Sequence, residues 1–257
     1  MQQKSDIPPG FTALERGARR YIVAAAHTEA VANALDAALD GAGKHPGGRG
    51  AMVRHDYAEG VIIARCARRG GMIRFMMRDR FVRNRPREEF RIHQQAAAAG
   101  LPVAPPLGGC WTRVKPFYAG AMATQALSAT ELLEVLRAEP GRAMGLLNAV
   151  GSVTRRMHDA GIYHGDLQVR NILCRGADVY LIDFDKARHY KAVPPVRRAM
   201  NLYRLRRSLE RHGFPPAYFT HVCAGYGVAP RVAWLDMLYR LRGWRRQGRM
   251  PGDSPHV

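Results

Sequence analysis

The stretch IYHGDLQVRNILC, Ile162 to Cys174, sets a His, an Asp and an Asn at fixed spacing inside an otherwise apolar run. LIDFD, Leu181 to Asp185, follows with two more carboxylates flanking a Phe. Both segments otherwise read as buried strand, where a carboxylate is costly unless something pairs with it. Either a turn exposes these acids, or a metal-bound phosphate needs them.

His164-Gly165-Asp166-Leu167, with Asn171 five residues after the Asp, fits the kinase-type catalytic loop H-x-D-L-x-x-x-N. Phosphoryl transfer needs a carboxylate to orient a hydroxyl and take its proton, and metal held against the phosphates. Asp166 fits the first task, and Asn171 and Asp183 offer oxygens for the second. NILC and VYLIDF, separated by RGAD, read as a hairpin that brings Asn171 and Asp183 to one end of a cleft. Taken singly, Asp166 reads as a turn residue and Asp183 as a cap; the ordered set points to a kinase-like site. His164 joins the catalytic set as a hydrogen-bonding support of the loop.

Working outward, Leu146, Val150, Val153 and Met157 recur on one helical face ahead of the loop, and Gly161 stands where a helix ends. In the N-terminal half, residues 1 to 20 read as irregular and Thr28 to Leu39 as a helix. AMVRHDYAEGVIIAR reads as a hairpin turning at Ala58-Glu59-Gly60, and Arg85 to Ala99 as a helix stopped by Gly100. Ala119 to Leu127 could be a strand leading into a connection. The expected fold is α+β and two-lobed, of protein-kinase type. An N-lobe (1–123) holds a Gly-rich loop, a β-hairpin and one helix; a hinge follows (124–128), then a mainly helical C-lobe (129–257). GGRG supplies Gly47, Gly48 and Gly50, whose backbone N–H groups could approach ATP phosphates. Arg65 closes the second hairpin strand, and Glu88 and Glu89 lie on the next helix. A kinase wants a strand cation paired to a helix Glu, and Arg65 and Glu89 can fill those roles although Lys is the usual residue. Lys186 and Arg170 are the cations available to the transferred phosphate.

The chain has 257 residues, 47% hydrophobic and 24% charged, enough for a globular core. No apolar run reaches the ~18 residues of a membrane span, and no secretory signal is evident. Cys66, Cys110, Cys174 and Cys223 form no CxxC pair and read as reduced thiols. Forty Lys and Arg against 21 Asp and Glu give +19, which favours an anionic partner. From Arg65 to Arg91, ten Arg interleave with Phe75, Met76, Met77 and Phe81, a pattern suited either to an anionic membrane surface or to a solvated helix. RLRGWRRQGR, with Trp244, carries the same two readings.

ARCARRGGMIRFMMRDRF, EEFRIHQQAAAAGLPVAPP, MHDAGIYHGDLQVRNILC, VYLIDFDKAR and NLYRLRRSLER together resemble the bacterial 3-deoxy-D-manno-octulosonic acid (Kdo) kinases of the lipopolysaccharide core kinase family. The resemblance runs from about Gly47 to Arg211. It implies Asp166 as catalytic base, Asn171 and Asp183 as Mg²⁺ ligands, Arg65 as the strand cation and Glu89 as its partner. It implies transfer of the ATP γ-phosphate to a hydroxyl of Kdo on lipid A, by a protein peripheral to the cytoplasmic side of the inner membrane. No nucleic acid partner is expected. Two other readings stand beside it: a kinase of a soluble metabolite, antibiotic or protein, and a non-catalytic nucleotide- or nucleic-acid-binding protein whose binding falls steeply with salt.

Overall fold

The computed structural model describes residues 7–41, 52–66, 84–115 and 117–228. GGRG, the Arg- and Met-rich stretch 67–83 and the basic tail beyond Val228 lie outside the described residues.

Three antiparallel hairpins build the N-terminal sheet. Strands β1 (Phe11–Arg16) and β2 (Arg19–Ala24) pair across Gly17, whose φ of +58° suits the two-residue turn. Strands β3 (Met52–Tyr57) and β4 (Gly60–Cys66) pair around Ala58-Glu59, as the sequence predicts. Strands β5 (Pro106–Val114) and β6 (Phe117–Gln125) complete a six-stranded sheet of order β1-β2-β5-β6-β4-β3. The first hairpin corrects the irregular start expected for residues 1 to 20. As an edge strand, β1 keeps one face in water, so its apolar alternation is weak.

Both helices read from the sequence flank this sheet, one more than the single helix assigned to the N-lobe. Helix α1 (Thr28–Leu39) buries Val31, Leu35 and Ala38 against Tyr21, Val23 and Cys110. Helix α2 (Arg85–Ala98) places Phe90 against Ile22 and Trp111. Successive strand residues point to opposite faces, so Tyr21 and Val23 against Ile22 put α1 and α2 on opposite sides. Asn84 caps α2 by accepting from the Arg87 N–H at 3.2 Å, and Gly100, at φ +67°, follows its end. The far face of α2 sends Ile92 and Ala96 into the larger core of the C-terminal part. One helix therefore joins both cores.

After Gln125 the chain becomes mainly helical. Strand β7 (Thr130–Glu131) leads into α3 (Leu132–Ala138) and α4 (Ala143–Asp159). Next come β8 (Ile162–Tyr163), β9 (Ile172–Arg175), β10 (Asp178–Leu181), β11 (Arg188–His189), α5 (Pro195–Arg211) and α6 (Pro216–Tyr226). Helix α4 buries Leu146, Val150, Val153 and Met157 along the face read from the sequence. NILC and DVYL form the second expected hairpin. Pairing of β8 with β11 clips both ends of segment 164–187, drawing HGDL and LIDFD together.

Helices α4 and α6 touch backbone to backbone. A Cβ on Gly225 would lie 1.9 Å from the Asn148 carbonyl oxygen, and one on Gly151 2.1 Å from that of Val222. In an exposed helix Gly→Ala stabilises by about 1 kcal/mol. Here the added methyl meets backbone that cannot rotate away, so Gly225→Ala is expected to destabilise by roughly 1–3 kcal/mol. A urea midpoint at or above that of the parent would contradict this packing.

Candidate functional site

Arg65, at the end of β4, is the cation shared by two carboxylates. Its Nη2 lies 2.5 Å from Glu89 Oε1 on α2, and its Nη1 2.8 Å from Asp183 Oδ1. The Glu89 side chain is only 2% exposed, whereas its neighbour Glu88 is in solvent and pairs with Arg91. Helical phase thus selects Glu89 from the two acids. Burial opposes charge on Arg65, but Glu89 and Asp183 hold its pKa above the ordinary value. Burial pushes the Glu89 carboxyl up, against the pull of Arg65. Burial also pushes on Asp183, yet Arg65 holds it below the ordinary carboxylate range.

Asp183 is the one non-glycine with a left-handed backbone among the described residues, at φ +68°. Such a conformation costs of order 1–3 kcal/mol and persists only where its surroundings over-determine it. Those surroundings are evident. The Ile182 N–H donates to the Asn171 carbonyl oxygen at 3.1 Å, and Phe184 is fully buried between two rings. Its centroid lies 5.0 Å from His93 on α2 and 4.9 Å from His164. The ring stack connects α2 to the loop.

His164 is the knot of that loop. With its Nε2–H donated to the Ile182 carbonyl oxygen (3.0 Å), its Nδ1 accepts from the Asp166 N–H (3.3 Å). Burial lowers its pKa, so the ring sits neutral in this tautomer. Gly165, at φ +76°, brings the turn so close that a Cβ would lie 2.3 Å from the Lys186 carbonyl oxygen. Asn171 donates its Nδ2–H to the Asp166 carbonyl oxygen at 2.9 Å, leaving its own side-chain oxygen as an acceptor.

One face of α5 runs along the whole loop. Asn201 Oδ1 accepts from the His164 N–H (3.2 Å) and from His158 Nε2 (3.0 Å), whose Nδ1 meets the Tyr226 hydroxyl (2.9 Å). One turn on, Arg204 Nη1 donates to Asp166 Oδ1 at 2.9 Å. Ser208 Oγ then accepts from the Val169 N–H (3.2 Å), and beyond the helix His212 stands 3.5 Å from Arg170. Positions 201, 204, 208 and 212 follow the i, i+3, i+4 spacing of one helical face. Sequence reasoning passed over this face because polar residues in an Arg-rich helix read as solvated. The recurrence N-x-x-R-x-x-x-S-x-x-x-H was the available signal.

The site has two electrical halves. Asp166 carries two cations, with Lys186 Nζ 2.5 Å from Oδ2 and Arg204 on Oδ1. Around Arg65 the balance reverses. Glu89, Asp183 and Asp185 face Arg65 and Arg85, whose Nε and Nη2 bond the Asp185 carbonyl oxygen. Asp185 Oδ1 is buried without a hydrogen-bond partner, and burial beside Asp183 raises that carboxyl's pKa. The Asp183 carboxylate, the orphaned Asp185 oxygen and the spare Asn171 oxygen are all hard oxygen donors, the kind a Mg²⁺-like cation takes. Gly47, Gly48 and Gly50 lie outside the described residues. The other expected site residues, Arg65, Glu89, His164, Asp166, Asn171, Asp183 and Lys186, come together.

Residues 42–226 match the model of the lipopolysaccharide kinase (Kdo/WaaP) family. The 3-deoxy-D-manno-octulosonic acid kinase of Xylella fastidiosa (strain M23) is 33% identical over 201 residues, 72% of this chain and 80% of that protein. The enzyme of the same name from Xanthomonas euvesicatoria pv. vesicatoria (strain 85-10) is 36% identical over 170 residues, 63% and 67% of the two chains. A solved structure of WaaP in complex with acyl carrier protein aligns with TM-score 0.54 at 17% identity, over 79% of this chain and 86% of that one. At that identity the likeness speaks to the fold alone, which is α+β and protein-kinase-like.

Two buried histidines give the site a pH signature. Burial pulls His93 and His158 from about 6.5 down to about 4. Between those values the unfolded chain binds more protons, so stability rises with pH there and is lost as pH falls from about 6.5 towards 4. The expected loss is on the order of 3 kcal/mol per histidine across the window. Urea midpoints measured through it should fall; a flat profile would contradict neutral burial of both rings.

Proposed function

We propose that this chain, which belongs to the lipopolysaccharide kinase (Kdo/WaaP) family, phosphorylates a hydroxyl of Kdo in the lipopolysaccharide inner core, with Kdo-lipid A as acceptor. Membership makes it a phosphotransferase with a hydroxyl acceptor. The observation that carries the residue assignment is Asp166: a half-buried carboxylate held by its own backbone N–H on His164 and set between two cations at the mouth of the loop.

In this reading Asp166 orients the acceptor hydroxyl and takes its proton. The acceptor oxygen bonds the γ-phosphorus of ATP as the bond to the bridging oxygen breaks, and ADP leaves with that electron pair. Arg65, fixed by Glu89, holds the ATP phosphates, and Lys186 meets the transferred group. Asn171 and Asp183 would hold Mg²⁺, which supplies charge neutralisation along the phosphates when bound. Gly47, Gly48 and Gly50 would cover the phosphates with backbone N–H groups, and residues 124–128 would act as the hinge between the two parts.

Placement at the cytoplasmic side of the inner membrane, as a peripheral protein, belongs to the same proposal. It is supported by the +19 charge and by the lipid-linked acceptor. No helix among the described residues is long and apolar enough to cross a membrane.

Purified protein incubated with Mg-ATP and Kdo-lipid A should add one phosphate to the acceptor, read by mass spectrometry. Asp166→Asn should lower kcat by about 10²–10⁴-fold with an unchanged urea midpoint. Full activity in that variant would remove Asp166 as base. ATP binding with no mass gain on Kdo-lipid A would keep the kinase and move its acceptor to a soluble molecule.

A further inference from the structure

We propose that Arg204 is the residue that selects a carboxylated acceptor, exchanging Asp166 for the acceptor's carboxylate when the sugar acid binds. The inference rests on the Kdo reading above and names the group that recognises the acid.

Charge comes first. Asp166, Lys186 and Arg204 form a trio of one anion and two cations, with net charge +1. The opposite side of the site gathers three carboxylates, Glu89, Asp183 and Asp185, around Arg65 and Arg85, with Lys186 also acting on Asp185. Arg204, the cation that reaches the proposed base from the side away from LIDFD, suits an anionic acceptor.

Geometry selects Arg204 over Lys186 for that role. Lys186 follows LIDFD directly and shares its turn with the metal side, whereas Arg204 approaches from α5. Its side chain is 39% exposed, and Asp166 is its one ion-pair partner among the described residues. A guanidinium offers five N–H donors in a planar fork that matches a carboxylate, and a single Nη1 contact to Asp166 uses part of that capacity. Arg204 is also held in place from below: Asn201 and Ser208, a turn to either side, are bonded to the loop's own N–H groups.

Each carboxylate oxygen of Asp166 meets a cation, Lys186 on Oδ2 and Arg204 on Oδ1. A hydroxyl that must sit about 2.6–3.2 Å from Asp166 competes with a cation for one of these oxygens or shares it. It would lie within roughly two hydrogen-bond lengths of the Arg204 guanidinium. A sugar acid bears its carboxylate a few bonds from its ring hydroxyls, so one molecule can supply both partners. The carboxylate draws Arg204 from Oδ1, and the hydroxyl takes the vacated oxygen. A neutral sugar offers Arg204 nothing in return, so its hydroxyl must share the Asp166 oxygen with the guanidinium.

The test compares two acceptors, Kdo-lipid A and its Kdo methyl ester, with the wild type, Arg204→Gln and Arg204→Lys. The wild type should prefer the acid in kcat/KM. In Arg204→Gln that preference should shrink by about 10–100-fold, the size of one lost charge-assisted contact, with most of the change in KM for the acid. Arg204→Lys keeps the charge without the fork, and should retain part of the preference. A residue that merely props the loop would depress both acceptors equally, and an unchanged acid-to-ester ratio in Arg204→Gln would overturn the proposal. Calorimetric binding of Mg-ATP to each variant verifies that the fold is kept; if Arg204→Gln fails it, the ratio in Arg204→Lys decides in the same way. Wild-type protein that phosphorylates neither acceptor would remove the Kdo reading and this inference with it, an outcome distinct from an unchanged ratio in an active variant.

Discussion

The contact of Arg65 with Glu89 and Asp183 is the constraint on which the rest of the site depends. It requires β4 to end beside α2, α2 to turn one acid inward, and the Asp183 backbone to be held left-handed at the same moment. A charge buried without a partner is expensive, and losing one member of such a pair costs about 3–5 kcal/mol. The fold is therefore tied to one arrangement of three segments distant in sequence. Phe184, between His93 and His164, repeats the tie in apolar form. The sheet part and the catalytic loop are joined by a charge and by a stack of rings.

From that arrangement follows a division of charge. Three carboxylates gather around Arg65, and two cations flank Asp166. A metal–nucleotide complex suits the first half, and an anionic acceptor the second. Helix α5 keeps the second half in register, with buried Asn201 and Ser208 fixing backbone N–H groups and Arg204 between them reaching Asp166. In the proposed reaction the sheet side would hold the phosphate donor and the α5 side the acceptor.

Much of this was legible in the residues. HGDL with Asn171, the second hairpin and Asp183 carry fixed spacings whose chemistry is local, and they fold as read. Arg65 and Glu89 were paired because a kinase-type site wants a strand cation beside a helix Glu. What escaped was the weakly patterned and the long-range. The β1–β2 hairpin lies at a sheet edge, where one face stays in water and the alternation is blurred. Helix α1 was legible as a helix but not as a second layer on the sheet, since which face covers which strand depends on pairing order. Arg204 was given no role from the sequence; only the fold brings residue 204 to residue 166.

In the proposed reaction Glu89 serves the nucleotide site through Arg65. Calorimetric Mg-ATP affinity of the wild type, Arg65→Met, Glu89→Gln and the double variant tests it most directly. If Glu89 acts by fixing Arg65, the double variant binds no more weakly than Arg65→Met alone, a coupling of roughly 0.5–3 kcal/mol. Losses that simply add would show the two residues acting independently, and would contradict this account of the site.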